Sequence, residues 1–401
     1  MKYAQSIPLY FRVCSNTAHG RAPMKSNTVI NQTLMKEKNR RLVAYTLWRN
    51  SPISRTGLAK TTGLNKATIT NIVAELKEDG MVKCCGSLQG NVGRAQNLIM
   101  FNEDYGMCGS IIIRPNTIIL AVGNLRAKIL WSKELHFSTD ELPTEVIKRA
   151  ATQLDEGIKA CEGKAGKLIG IGVGTASLLR HDDDMLYAIH SIDWHNISVL
   201  DYLRHYFNVP ILADTVANCS AVGEKYFGIA DDKTDMIYLF VGYGIGAGII
   251  VNGKPCRGSE GFAGDIGHMV IDPNGPQCSC GKKGCWEVIA SSIAAKESFK
   301  SLSEKADAGD VKAISMLNKI GCNLGIGIAN LISILNPQLV VLGGEVVNAG
   351  KWVMNPCRST VQERVWPWVM EHTRIEFTGV AGENTAGVVG TMTKVIEYFL
   401  E

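Results

Sequence analysis

His268, Cys278, Cys280 and Cys285 fall within 18 residues in the pattern H-x9-C-x-C-x4-C. One imidazole and three thiolates at this spacing suit a closed tetrahedral Zn2+ site, one ion per chain, with Gly281 and Gly284 supplying the tight turns between ligands. No open coordination position is evident, so the expected role is structural and not catalytic. The alternative is a set of buried free thiols, which is how Cys108, Cys161, Cys219, Cys322 and Cys357 read. Just upstream, Gly242, Gly244, Gly246 and Gly248 alternate along a strand and turn. Such spacing marks backbone that approaches something closely, although glycine turns alone are a weak sign of a ligand.

The elements around these residues read as α/β layers. Ser110–Ile113, Thr117–Val122 and Ala127–Trp131 are expected strands, followed by a helix near Thr144–Ala160 and a buried strand at Lys167–Val173. Ile237–Val241 and Leu339–Leu342 have the same continuous apolar character, which places ligands near strand ends and glycine-rich turns.

A different texture precedes them. Residues 1–100 carry 15 Lys+Arg against 4 Asp+Glu, whereas the remaining 301 carry 27 against 34. A basic head on an acidic body is the charge layout of a protein with a polyanion-binding module. Residues 1–25 read as a loose polar arm. A first helix from Lys36 to Arg49 shows an apolar stripe of Leu42, Val43, Thr46 and Leu47, and Pro52 lies just past its end. Ser54 is a candidate N-cap for a short second helix closed by Gly63, and Asn65 for a third whose Ile69, Val73 and Leu76 share one face. The opposite face offers Lys66, Thr68, Thr70 and Asn71. Two short helices joined by Thr61-Thr62-Gly63-Leu64 match a helix-turn-helix, and strands at Met81–Cys85 and Gln96–Phe101 would add a wing with Arg94 at its tip. Ser54, Arg55, Lys66, Thr68, Thr70, Asn71 and Arg94 are therefore the candidate DNA-binding residues. The competing reading is a protein-interaction domain with a solvated basic face.

At 401 residues and 46% hydrophobic residues, the chain has material for two or three folded domains. No apolar run reaches the ~18 residues of a membrane helix. The first 25 residues, with Pro8 and Arg12, lack a signal-peptide pattern. Twelve Cys without such a signal point to a reducing, cytoplasmic setting and no membrane partner.

Together the motifs VGYGIGAG, GFAGDIGH, CSCGKKGCWE and NPQLVVLGGE, with the segment from Asn31 to Val82, resemble the ROK family (repressors, open reading frames and kinases). The likeness runs from about Asn27 to the end and is strongest to the family's xylose-repressor-like regulators. It implies a winged helix-turn-helix at 26–101 followed by a two-lobed actin/hexokinase-like (ribonuclease H-like) sugar-binding body. The first lobe would span 102–215, joined by a C-terminal helix at 386–401, and the second, with the zinc loop, 216–385. The resemblance places sugar-hydroxyl contacts on Asp265, His268 and Glu287, with Asp265 one methylene shorter than the family's usual Glu. Asp214, at a strand end, is a further candidate sugar contact.

Departures from the family's kinases argue against catalysis. Their phosphate turn, D-x-G-x-T, is replaced by SIIIRPNT, with Ile112 and Arg114 near the expected Asp and Gly. Aligning ANCSAVGE with the kinases' N-D-A-N segment puts Thr215 and Val216 at the Asn-Asp pair, and a Val accepts no proton. Tyr243 stands where kinases carry a small Thr. The expectation is a non-enzymatic, sugar-responsive repressor that binds double-stranded operator DNA and a xylose- or glucose-like monosaccharide, as a homodimer or homotetramer. The alternatives are an active ATP-dependent sugar kinase with an appended DNA-binding head, and a regulator controlled by a protein partner.

Overall fold

The computed structural model describes residues 32–88, 96–175, 178–179, 186–189, 194–380 and 385–401. The 1–25 arm and Arg94 lie outside these residues.

The head is built from α1 (Gln32–Asn50), β1 (Ile53–Ser54), α2 (Arg55–Thr62), α3 (Lys66–Glu78), β2 (Val82–Leu88) and β3 (Gln96–Phe101), with its strands in the order β1-β3-β2. Local chemistry sets each helix end. The Ser54 hydroxyl accepts from Gly57 N, Gly63 closes α2 at φ 72°, and the Asn65 side chain accepts from Thr68 N. Ile69, Val73 and Leu76 are buried as their spacing predicts, with Ile72 beside them. The stripe expected on α1 needs one correction. Leu42 is 41% exposed, and the buried residues are Val43, Ala44, Thr46, Leu47 and Trp48. A single helical stripe does not describe them, because α1 packs inward on the head and outward on the body.

The body opens with β4 (Met107–Arg114), β5 (Thr117–Asn124), β6 (Ile129–His136), α4 (Pro143–Ala160), β7 (Leu168–Thr175), β8 (Leu178–Leu179), β9 (Leu186–Ile189), β10 (Trp194–Ile197), α5 (Val199–Arg204) and β11 (Ile211–Thr215). Its main sheet has the order β11-β7-β4-β5-β6, antiparallel through β4–β5–β6 and parallel through β4–β7–β11. After α6 (Val216–Phe227) come β12 (Met236–Val241), β13 (Ile245–Val251), β14 (Lys254–Pro255), α7 (Trp286–Ala290), α8 (Ser292–Ala295), α9 (Phe299–Asp307), α10 (Val311–Leu335), β15 (Leu339–Gly343), α11 (Lys351–Arg364), α12 (Pro367–Met370) and β16 (Arg374–Phe377). This second sheet runs β14-β13-β12-β15-β16. The chain then returns, and α13 (Thr385–Leu400) packs along α6 and across β7, β4 and β11 of the first sheet. The Ser110 and Thr391 hydroxyls, 2.7 Å apart and buried, satisfy one another at that contact.

One sequence expectation is kept and one is corrected here. By length and composition α10 is apolar enough to cross a membrane. It serves instead as a lobe helix, with Leu317, Ile320, Leu324 and Ile328 fully buried in one apolar core with residues of α9 and α11. Cys322 is exposed, whereas Cys108, Cys161, Cys219 and Cys357 are buried as expected, and every cysteine among the described residues is free of disulfides.

Candidate functional site

The densest chemistry lies between β14 and α7. A 3-10 turn, Ile266–His268, presents the imidazole, and Cys285 sits at the N-cap of α7. Between them the chain folds back on itself: Cys278 N donates to Lys282 O at 2.8 Å, Gly284 N to Pro276 O at 2.8 Å, and Trp286 N to Met269 O at 2.8 Å. Gly281 and Gly284 take φ of 87° and 69°, the left-handed turns such folding requires. Sequence spacing and fold agree here.

The result is one cluster. Donor atoms of His268, Cys278, Cys280 and Cys285 all lie within 4.8 Å of one another. Cys280 Sγ and Cys285 Sγ are 3.6 Å apart, as are Cys278 Sγ and His268 Nδ1. The edges of a tetrahedron with metal–ligand bonds of 2.0–2.3 Å are roughly 3.5–3.8 Å, so the cluster could hold a metal ion. Burial first, and then the thiols of Cys280 and Cys278, push the Cys285 thiol up to about 12, a hold on its proton that a dication would reverse.

Beside the cluster, Glu287 Oε1 lies 3.9 Å from His268 Nδ1, and Glu287 Oε2 faces Ile245 N at 3.4 Å. Asp265 is exposed at the head of the turn that ends in His268, and its side chain does not cap that turn. The alternating glycines explain part of this arrangement. A Cβ on Gly244 would meet Glu287 Oε2 at 2.6 Å, and one on Gly248 would meet Ala217 O at 2.2 Å. What their backbone approaches closely is therefore Glu287 and α6.

Asp214 is 5% exposed and heavily engaged. Its Oδ1 accepts from Thr215 N and Asn218 Nδ2, both at 2.8 Å. Its Oδ2 accepts from Lys394 Nζ at 2.7 Å and from Arg257 Nε and Nη2 at 3.1 and 2.9 Å. Burial alone would raise this carboxyl, but Lys394 and Arg257 hold it down at about 2. A carboxylate offers about four lone-pair sites, so a sugar hydroxyl could reach Asp214 only by displacing one of these donors. Sequence reasoning missed both cations.

The positions that depart from the kinase pattern are equally definite. Val216 is 7% exposed and begins α6, whose N-terminus is capped by the Thr215 hydroxyl accepting from Asn218 N at 3.1 Å. Ile112 is buried, and the Arg114 guanidinium stands 5.5 Å above the Phe240 ring. Tyr243 is 57% exposed.

On the head, Lys66, Thr70 and Asn71 are exposed along α3, Thr68 is half-buried, and Thr70 Oγ1 donates to Lys66 O. Ser54 is committed to its capping bond. Arg55 is half-buried, with a buried Nε that has no hydrogen-bond partner. The head is seated on the body. Trp48 Nε1 donates to Leu125 O at 2.7 Å, the Tyr45 and Tyr226 hydroxyls are 2.9 Å apart, and Arg49 pairs with Asp231 at 2.5 Å. Tyr226 in turn donates to Glu397 on α13, and Arg41 donates to the carbonyl of Glu401.

These features can be set beside known proteins. The ROK family profile matches residues 108–397. The xylose repressor of Bacillus spizizenii is 32% identical over 388 residues, covering 93% of this chain and 98% of its own. A glucokinase of Halalkalibacterium halodurans is also 32% identical, over 282 residues, covering 62% of this chain and 85% of its own. A solved ROK family transcriptional regulator, described as a homolog of the E. coli MLC protein, superposes with a TM-score of 0.78 over 91% of this chain and 98% of that one. At 21% identity, that likeness speaks for the fold alone. With a cluster that could hold a metal ion, two five-stranded sheets and a profile match across the body, the chain belongs to the ROK family.

Proposed function

We propose that this protein is a sugar-responsive, DNA-binding transcriptional repressor of carbohydrate-utilisation genes. The observation that carries the reading is a combination. A helix-turn-helix with its strands β1, β2 and β3 is seated on a body where Glu287 stands beside the His268/Cys278/Cys280/Cys285 cluster and Asp265 opens the turn to His268, while Val216 stands where the resemblance to the kinases puts their general base. A body that holds a sugar without transferring phosphate to it is suited to sensing. The full-length match to a xylose repressor supports a xylose- or glucose-like monosaccharide between the lobes.

In this reading Asp265 and Glu287 accept sugar hydroxyl protons and His268 orients the site. Zn2+ is the ion that suits one imidazole and three thiolates; held by His268, Cys278, Cys280 and Cys285, it would fix the loop that carries those contacts. Lys66, Thr68, Thr70 and Asn71 would face the major groove, with Arg94 on the wing toward phosphate. The protein would act in the cytoplasm as a homodimer or homotetramer that presents paired heads to a two-fold operator.

The deciding experiment is a DNA-binding titration with and without D-xylose or D-glucose, wild type beside Glu287→Ala. The variant should bind DNA as the wild type does and ignore the sugar. The likeness to a glucokinase supports a second reading, a sugar kinase with an appended head. ATP-dependent phosphorylation of either sugar by the wild type would establish it and displace the repressor.

A further inference from the structure

Asp214 joins three parts of the molecule that are far apart in sequence. It lies one residue before the end of β11 in the first sheet. Arg257 belongs to the loop that leaves the second sheet, where Arg257 O accepts from Ala263 N at 3.0 Å and Ala247 N donates to Gly264 O at 2.8 Å. That loop leads directly to Asp265 and His268. Lys394 belongs to α13, and besides Asp214 it donates to Ala213 O at 2.9 Å. One carboxylate oxygen thus holds a cation from the loop that leads to the His268/Cys cluster and a cation from the returning helix.

From Lys394 the connection continues toward the head. Glu397, three residues on and so on the same face of α13, accepts from Tyr226, whose hydroxyl meets that of Tyr45 on α1. Residues of α1, α6 and α13 also share one continuous apolar core. The helix itself has little room to slide. A Cβ on Gly390 would sit 1.7 Å from Cys219 O, so α13 and α6 touch backbone to backbone and move together. A displacement of α13 is thereby passed to the Tyr226 end of α6 and not absorbed between the two helices.

We propose that Arg257, Asp214 and Lys394 form the joint that mechanically couples the loop bearing Asp265 and His268 to α13, and through α13 to the seat of the winged helix. Arg257 and Lys394 are positioning residues in this scheme. A ligand that draws the 257–265 loop away changes the load on Asp214 and loosens or tightens α1. The coupling deepens the repressor reading and rests on it for its link to DNA, but the joint itself can be tested without DNA.

The test is hydrogen exchange followed by mass spectrometry on the full chain, comparing wild type with Arg257→Gln and Arg257→Lys. Arg257→Gln should speed exchange by roughly threefold or more in 385–400 and in 32–50, as well as in 211–218 and 254–266. Arg257→Lys, which keeps a cation for Asp214, should restore most of the protection in 385–400 and 32–50. An effect of Arg257→Gln confined to 211–218 and 254–266 would overturn the joint. If Arg257→Gln does not fold, Arg257→Lys alone decides: loss of one hydrogen bond should then be felt weakly but at all four segments, and a purely local change refutes the proposal. A second arm selects a duplex from a random double-stranded pool with the wild type, then asks whether D-xylose or D-glucose releases it from each variant. Failure to select any duplex counts against the repressor reading and leaves the exchange result standing.

Discussion

Trp48 of the head and Tyr226 of the body face each other with ring centroids 5.3 Å apart and planes inclined at 42°. Phe227 meets the same indole edge-on at 6.2 Å, and Arg49 lies over the Tyr226 ring at 4.5 Å. This aromatic seam fixes the head relative to the body. Trp48 is 1% exposed, so Trp48→Ala should cost about 3–5 kcal/mol, measured by urea unfolding. Trp48→Phe keeps most of the apolar contact and loses the bond to Leu125 O, so it should cost about 1 kcal/mol.

The His268/Cys278/Cys280/Cys285 cluster predicts a stoichiometry. Purified protein should carry about one zinc per chain by atomic emission, because four donors close one tetrahedral site. Cys280→Ser should lower that content and destabilise the 268–287 loop, seen as a lower melting temperature and faster proteolysis there. Wild type stripped with a strong chelator should behave like the variant.

Asp214 predicts an acid limb in stability. Its carboxyl lies below the ordinary value of 3.8, at about 2. A depressed carboxyl stabilises the folded state above its unfolded value, and the contribution is lost as pH falls through the folded one. The network should therefore supply roughly 2 kcal/mol above pH 4 that disappears between about pH 4 and pH 2. Asp214→Asn should lack this component of the stability–pH curve. At neutral pH it should also cost about 3 kcal/mol by leaving Lys394 and Arg257 without their anion, the lower end being expected for an Arg257 side chain 27% exposed.

The exposed face of α3 predicts a division of labour on DNA. Lys66→Ala should weaken binding evenly across sequences and reduce the slope of log affinity against log salt by about 1. Asn71→Ala should change sequence preference at one or two positions with little effect on that slope. Both are read from titrations at several salt concentrations on a panel of duplexes.

How much of this was legible in the sequence depends on distance along the chain. The caps at Ser54 and Asn65, the Gly63 stop and the His268/Cys278/Cys280/Cys285 spacing are all local, and each could be read directly. Leu42 was misplaced because periodicity assumes one buried face, whereas α1 has two. The cations on Asp214 were invisible for a different reason. Arg257 is 43 residues away and Lys394 is 180, so only the folded chain brings them together. Glu397 and Tyr226, 171 residues apart, are hidden in the same way. The long α10 has the length and composition of a membrane span although the sequence shows no unbroken apolar run, since a helix enclosed by protein and one enclosed by lipid can share a composition.

The seating of the head on α13 has a consequence for biogenesis. On the ribosome, α1 emerges before α13 by more than 300 residues of synthesis. At elongation rates of about 5–20 residues per second, that interval lasts roughly fifteen seconds to a minute. During it the head gains Leu125, Tyr226 and Phe227 to cover Trp48 but not yet Glu397 and Glu401, which complete its seat from the C-terminal end. A head made in this order is complete in sequence before the last helix of its seat exists, so its docking on the body is a late step of synthesis.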